Sequence, residues 1–418
     1  MRIDRLGELG SAPTVLGALA AGASQRGLPP PAALIGEWFG SRAVIAPSVT
    51  LTEVAPSAVF DVSPGARGDG AVGGGWFGYL SYPDPGADGR KPRLPEAAGG
   101  WSDSVLRCAA DGIWWHESLS GAPLSDWVTE ALREPPSPRT ALIAWGAADR
   151  SAHQRGVRDC LDAITAGEVY QACVCTQFTG ALDGAPADFF ADAVTRTAPA
   201  RAAFLAGAWG AVASLSPELF LRRRGEDVTS SPIKGTLPRH ADPAALRASV
   251  KDVAENIMIV DLVRNDLGRV AHTGSVTVPE LLAVRPAPGV WHLVSTVAAR
   301  VPVDVPTRAL LEATFPPASV TGTPKQRARD LLRQWEPRRR GVYCGTIGLA
   351  SPEAGCELNV AIRTVEFTPS GAAVLGVGGG ITADSDPARE WEECLHKAAP
   401  ILVSSAAGAQ HRVVELPA

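Results

Sequence analysis

The spacing of apolar and polar positions changes character partway along the chain. From residue 1 to 135, apolar residues come in short runs such as Ala43–Ile45, Gly75–Tyr82 and Gly112–Trp115, separated by Gly- and Pro-rich stretches. Runs of this length with such flanks predict short strands and turns. A turn-rich connection follows at Glu134–Arg139 (EPPSPR). Beyond it, Val157, Cys160, Leu161 and Ile164 recur at helical spacing within His153–Ala166. The pattern then predicts a strand over Val169–Phe178, a helix over Pro186–Thr197, and strands over Ala203–Trp209, Ala211–Leu215 and Glu218–Arg223. One long helix is predicted over Pro243–Leu267 and a final one over Pro387–Leu402, with strands over Leu293–Val301, Gly341–Leu349, Leu358–Phe367 and Ala372–Val377 between them. Strands in runs with helices between them, and no strict βαβ alternation, predict an α+β fold layered from mainly antiparallel sheet. The connection divides the chain into an N-terminal unit, 1–135, and a larger unit, 150–405.

Composition narrows the class. The 418 residues are 45% hydrophobic and 20% charged, enough to bury a sizeable core. A net charge of −5 without a Lys/Arg run argues against nucleic acid as a main partner. Seven dispersed cysteines, with no CxxC and no paired histidines, predict reduced thiols and a cytoplasmic setting. No apolar run reaches the roughly 18 residues needed to span a bilayer, so no membrane is expected. The first residues lack the cationic and continuous apolar regions of a signal peptide.

Two helices carry acids in unusual company. Asp252–Leu267 is apolar almost all round, through Ile257, Met258, Ile259, Val260, Leu262 and Val263, and is expected to be buried. It nevertheless contains Asp252 and Glu255 on one face, three residues apart. Buried charges must be paired, hydrogen-bonded or metal-bound, so a structural ion-pair network and a metal site are both open. In the last helix Glu390, Glu393 and Lys397 line one face, which is either a solvated surface or the second half of a cation site. Magnesium is held by one or two carboxylates, several waters and an anionic group of a substrate. Gly376-Val-Gly378-Gly379-Gly380 follows an apolar run and is either an anion-cradling nest or a strand end with a tight turn. It is not GxGxxG, and no P-loop follows. Lys234 sits in Ser231-Pro-Ile-Lys-Gly-Thr; exposed it would be inert, and partly buried it would be a nucleophile.

Ten segments in this order resemble the chorismate-utilising enzymes, a family of anthranilate, aminodeoxychorismate, isochorismate and salicylate synthases. They are GEVYQ (167–171), SPELFL (216–221), SPIKGT (231–236), KDVAENIMIVDLVRNDLGRV (251–270), HLVSTV (292–297), FPPASVTGTPK (315–325), RRRGVYCGTIG (338–348), NVAIRT (359–364), GVGGGITADSDP (376–387) and EWEECLHKA (390–398). They span about residues 150–403. The N-terminal part resembles the family more weakly, through WFGSRAVIAPS (38–48) and GGWFGYLSY (74–82).

The resemblance implies a layered fold of large antiparallel sheets with outer helices, and a role for each matching residue. Glu255 and Glu393 are expected to ligate Mg²⁺, with Asp252 and Glu390 as supporting acids. Tyr343, Arg363, Lys397 and the amides of Gly378 and Gly379 are expected to bind the substrate carboxylates, His292 and Thr321 to line its ring, and Glu218 to protonate the departing C4 hydroxyl. Water-using members carry a lysine where this chain has Gln171, and anthranilate synthases a small residue where it has Lys234. The PIKGT form resembles the aminodeoxychorismate synthases, in which the lysine attacks C2 before ammonia enters at C4. Two departures stand out: Cys173 replaces the usual Asn of YQxN, and Thr323 a commoner Ala. No glutaminase segment is recognised, so ammonia is expected from solution or from a separate glutamine amidotransferase in a heterodimer. C2 amination, with Lys234 a bystander, and a catalytically silent chorismate-binding subunit remain the alternatives.

Overall fold

The computed structural model describes residues 1–66, 70–83, 91–137 and 139–403. Residue 138 of the connecting turn and residues 404–405 of the larger unit lie outside the described residues. Nine helices are described: α1 Ala12–Gln25, α2 Asp126–Arg133, α3 Arg150–Thr165, α4 Pro186–Thr197, α5 Ala244–Ala248, α6 Val250–Gly268, α7 Thr307–Thr314, α8 Lys325–Trp335 and α9 Pro387–Leu402.

The strands form two antiparallel sheets. The first runs in the order Arg2–Gly7, Trp114–Ser118, Ser104–Cys108, Ser41–Ala46, Ala32–Trp38, Arg201–Gly207, Gly210–Ser216, Thr364–Phe367, Ala372–Ile381, Gln171–Asp183 and Gly322–Thr323, with Leu142–Trp145 also on the Gln171–Asp183 strand. The second runs Ile233–Pro238, Val290–Arg300, Asp227–Ser231, Leu219–Arg224, Gly355–Val360, Thr346–Ser351, Gly75–Leu80, Ala97–Ser102 and Thr52–Glu53, with Thr277–Ala287 also on Val290–Arg300. Both sheets draw on both sides of the 134–139 connection. Ala33–Gly36 pairs with Arg201–Phe204, and Trp76–Leu80 pairs with Thr346–Ala350.

A core of Leu34, Trp38, Val44, Phe77, Tyr79, Leu205, Ile347 and Leu349 fills the space between the sheets. On the outer face of the first sheet, α1 and α4 bury Leu16, Leu19, Phe189 and Phe190 against Phe204, Phe367 and Leu375. The helix α6 packs on the strands Val290–Arg300 and Ile233–Pro238, and α9 on Ala372–Ile381 and on α3. The two acidic helices therefore belong to different layers.

Several expectations are revised. The apolar start of the chain forms α1, capped by Ser11, whose side chain accepts from Thr14 N–H at 3.3 Å. Its glycines and Pro13 do not break it, because Pro is tolerated in the first helical turn. The single helix expected over 243–267 is two, divided at Ser249, which leaves the helical conformation to N-cap α6. Nor is α6 buried all round: Glu255, Asn256, Ile259, Val260, Val263, Asp266 and Leu267 are inside, while Ile257, Asp261, Arg264 and Asn265 face out. Exposed Asp261 and Arg264 pair with each other, and buried Asp266 with Lys325 of α8 at 2.6 Å. The strand expected over 358–367 is interrupted at Ala361–Arg363 and continues in the other sheet.

A buried charge joins the layers. Glu357 of the second sheet accepts from Arg201 of the first at 2.6 Å, from Arg222 at 2.7 Å and from the Phe39 amide at 3.0 Å. Replacing one partner of a buried ion pair costs about 3–5 kcal/mol because the other is left uncompensated. Glu357→Ala is thus expected to lower the urea midpoint substantially; an unchanged midpoint would remove Glu357 as a tie between the sheets.

Candidate active site

The glycine run stays inside the strand Ala372–Ile381, pairing Gly376, Gly378, Gly379 and Gly380 with Gln177, Cys175, Val174 and Cys173. Of the two structural alternatives for the run, a nest at a strand end and a turn, neither forms. The neighbouring strand Thr364–Phe367 stops opposite Leu375, so among the described residues the glycine stretch has a strand partner on one side only. On the open side the Gly378 carbonyl accepts from Lys397 Nζ at 2.9 Å. Side chains would not fit here. A Cβ at Gly376 would stand 2.2 Å from the Tyr343 ring, and at Gly380 2.6 Å from Gln171 Nε2 and 3.1 Å from Lys234 Nζ. At Gly379 it would stand 3.2 Å from Glu390 Oε2. The strand is a thin wall with acids and amines on both faces.

On one face stands Glu255 of α6, buried, with Lys234 Nζ 3.9 Å from its Oε2. Burial raises the Glu255 pKa, against the lowering effect of the Lys234 and Lys251 charges. Its neighbour Asn256 fastens α6 to the second sheet, donating to Leu293 O at 3.1 Å and accepting from Ser295 Oγ at 2.5 Å. Asp252 packs where a Cβ on Gly235 would fall.

On the other face stands α9, N-capped by Asp386. Glu390 is buried; its Oε1 accepts from Ser385 Oγ at 2.6 Å and pairs with Lys251 Nζ at 3.1 Å, while Oε2 has no hydrogen-bond partner. Half-exposed Glu393 pairs with Lys397 at 2.7 Å. Burial works against ionisation of Glu393, but the Lys397 ammonium outweighs it and holds the carboxyl below its usual range. Among the described residues no three Asp, Glu, His or Cys side chains converge closely enough to ligate an ion by themselves. Magnesium needs fewer, because it keeps several waters. The orphaned Glu390 Oε2 beside Glu393, with Glu255 near enough to feel the Glu393 charge, offers such an ion a partial ligand set.

Lys234 is aimed by a bulge. Ile233 is opposite Val294 and Thr236 opposite His292, so Lys234 and Gly235 form the irregular step between them. Gly235 takes φ +91°, which favours glycine. Glu218 is buried, and burial lifts its pKa to about 7, against Ser319, which hydrogen-bonds it, and the charges of Lys234 and Arg363. Arg363 takes φ +52° in the strand interruption, a conformation rare for a non-glycine residue. Burial lowers its pKa against the raising effect of the Glu218 charge. His292 is buried and held neutral, its pKa pushed down to about 4 by burial and by Arg363. Thr321 donates to Pro317 O at 2.9 Å, so its hydroxyl is already used. Tyr343 lies under Gly376, its hydroxyl 3.8 Å from the Cys175 thiol. Gln171 is buried with Oε1 unpartnered, and Cys173 lies two residues on, 4.0 Å from Cys175 Sγ.

Sequence reasoning missed Lys251, Asn256, Ser385, Thr236 and Arg340. Lys251 carried a signal, four residues before Glu255 on the same helix. Arg340 carried another: it lies four residues after Glu336, and the two pair within the core. From there Arg340 donates to Val320 O and Cys173 O at 2.6 and 2.5 Å, fixing the segment before Thr321 and the strand bearing Gln171. Ser385 acts within one turn of the start of α9, on Glu390, whereas Asn256 and Thr236 act across chain distances that no local pattern reports.

Two stacked antiparallel sheets with outer helices, and a cluster of acids and amines around the glycine strand, define a layered α+β enzyme. The family model for chorismate binding enzymes matches residues 51–403. The chain belongs to the chorismate binding enzyme family. It is 42% identical over 271 residues to aminodeoxychorismate synthase component 1 of Klebsiella aerogenes, covering 63% of this chain and 60% of that relative. To the protein of the same name from Escherichia coli K12 it is 36% identical, covering 82% of this chain and 79% of that relative. The chain thus spans less than two thirds of the Klebsiella relative. The structure of anthranilate synthase component I from Streptococcus pneumoniae superposes with a TM-score of 0.72 at 22% identity, covering 96% of this chain and 92% of that one, a likeness of fold.

Burial of Glu218 gives a signed prediction. Its folded pKa of about 7 lies above the ordinary 4.5, so the folded state loses stability relative to the unfolded as pH rises from about 4.5 to 7. The loss is largest above pH 7, about 3 kcal/mol for a shift of this size. Glu218→Gln removes it. Its thermal midpoint is expected to match the parent at pH 5 and exceed it at pH 8; a constant difference across that range would overturn the assignment.

Proposed function

We propose that the chain aminates chorismate at C4 to give 4-amino-4-deoxychorismate, using ammonia delivered by a separate glutamine amidotransferase. The observation that carries this reading is Lys234. It is nearly buried, turned inward by the bulge at Gly235, and lies beside Glu255 and the Gly380 wall. Gln171 stands where water-using members of the family carry a lysine, so no lysine amine at that position is available to activate water.

In the proposed reaction the substrate carboxylates meet Arg363, the edge of the glycine strand, Lys397 and Tyr343. Glu218, protonated below about pH 7, gives its proton to the C4 hydroxyl as that group leaves as water. Lys234 Nζ, after passing a proton to solvent, adds to C2 as the ring double bonds shift and the C4–O bond breaks. Ammonia then adds at C4, the double bonds shift back, and the C2–N bond to Lys234 breaks. The sum is chorismate plus ammonia to aminodeoxychorismate plus water, with the enolpyruvyl ether retained. Mg²⁺, held by Glu255 and Glu393 with Asp252 and Glu390 behind them, would supply positive charge for a ring carboxylate.

The test is the product formed from chorismate, Mg²⁺ and excess ammonium at alkaline pH, read by chromatography and mass spectrometry. Aminodeoxychorismate is expected from the parent, with a loss of about 10²-fold or more in Lys234→Ala. Anthranilate or an aminated isochorismate, with Lys234→Ala fully active, would replace the reading with C2 amination. Chorismate binding without turnover, even with an amidotransferase present, would make the chain a silent subunit. For the metal, calorimetry with Mg²⁺ and chorismate is expected to show binding that Glu393→Gln weakens about tenfold or more. Equal Mg²⁺ affinity in that variant would remove Glu393 from the ligand set.

A further inference from the structure

Thr236 and His292 occupy directly opposed positions on the strands Ile233–Pro238 and Val290–Arg300. Thr236 is the first residue back in register after the bulge that turns Lys234 inward. Its Oγ1 lies 2.9 Å from His292 Nδ1, the one side-chain hydrogen bond either residue makes among the described residues. The other ring nitrogen, Nε2, is buried and has no hydrogen-bond partner among the described residues, and the residue is only 4% exposed. A buried polar atom without a partner is costly unless a ligand completes it. The ring carries one proton at working pH, because burial and the nearby Arg363 charge keep it neutral. Thr236 is itself exposed, and Nδ1 is the one acceptor its hydroxyl meets among the described residues.

We infer that Thr236 is a positioning residue that holds His292 in the Nε2–H tautomer, presenting a fixed neutral donor to an oxygen of the bound dicarboxylate substrate. That the substrate is chorismate rests on the function proposed above; the tautomer assignment does not. The same strand step that aims Lys234 therefore also sets the proton position on His292. Without the hydroxyl neither ring nitrogen has a side-chain partner among the described residues, so the proton exchanges between Nδ1 and Nε2 and the ring is free to rotate. Either change withdraws the donor from the substrate.

The test compares Thr236→Val, which keeps the shape and loses the hydroxyl, with Thr236→Ser, which keeps the hydroxyl. Long-range proton–nitrogen spectra of ¹⁵N-histidine-labelled protein report the tautomer directly, with the His292 signals identified by their absence in His292→Gln. The parent and Thr236→Ser are expected to show a protonated Nε2 and an unprotonated Nδ1; Thr236→Val is expected to lose that pattern. In the chorismate assay, kcat/KM should fall about 10- to 100-fold in Thr236→Val, as for a lost hydrogen bond to a charged group, and recover to within about threefold in Thr236→Ser. An unchanged tautomer in Thr236→Val, or an equal loss in Thr236→Ser, would overturn the inference. The expected spectra in a parent that neither binds nor converts chorismate would uphold the Thr236 assignment and overturn the function proposed above.

Discussion

A strand without side chains at the point where two layers meet is the constraint on which the rest of this site depends. Gly376, Gly378, Gly379 and Gly380 bring the backbone within van der Waals range of Tyr343, Cys175, Glu390, Gln171 and Lys234, and any Cβ would force those groups apart. Because this wall is one peptide thick, Glu255 on α6 and Glu393 on α9, which belong to different layers, feel each other's charge. Because the strand has no strand neighbour among the described residues on one edge beyond Leu375, its peptide groups there are open to side chains and ligands. A bulkier strand would have packed well and separated the two halves of the site.

The charges around that wall are balanced in pairs and left incomplete at chosen points. Lys234 faces Glu255, Lys251 faces Glu390 and Lys397 faces Glu393. Between these pairs stand buried atoms without a hydrogen-bond partner among the described residues: Glu390 Oε2, Gln171 Oε1 and His292 Nε2. Native cores leave few buried polar groups without partners. Gathered around the glycine strand with a carboxyl whose pKa rises to about 7, they form the kind of incomplete, perturbed set that marks a candidate functional site.

Much of the architecture was legible along the chain. The helices over Pro186–Thr197 and Pro387–Leu402 follow from periodicity with Pro at the start, and they form with those bounds. The strands around Arg201–Arg224 follow from short apolar runs broken by Gly and Ser-Pro. Other parts were not legible. The apolar pattern of α6 reads as complete burial, but Ile257 faces outward, because a helix lying across two strands needs only one apolar face. The turn-rich 134–139 segment reads as a boundary, yet strands on either side of it share both sheets, and strand pairing between distant residues leaves no local mark.

The sequence by itself determined the chemistry on offer: two carboxylate-bearing helix faces, a glycine-rich run after an apolar one, and a lysine beside a glycine. These are properties of residue type and short spacing, written within one or two turns of the chain. Only the tertiary structure decided which of them meet. It placed Lys234 beside Glu255 through a bulge registered against Val290–Arg300, set Thr236 against His292, drew Glu390 to Lys251, and buried Glu218 far enough to raise its pKa. Proximity and burial are sums over the packing of distant segments, so the same residues strung out in sequence carry none of that information.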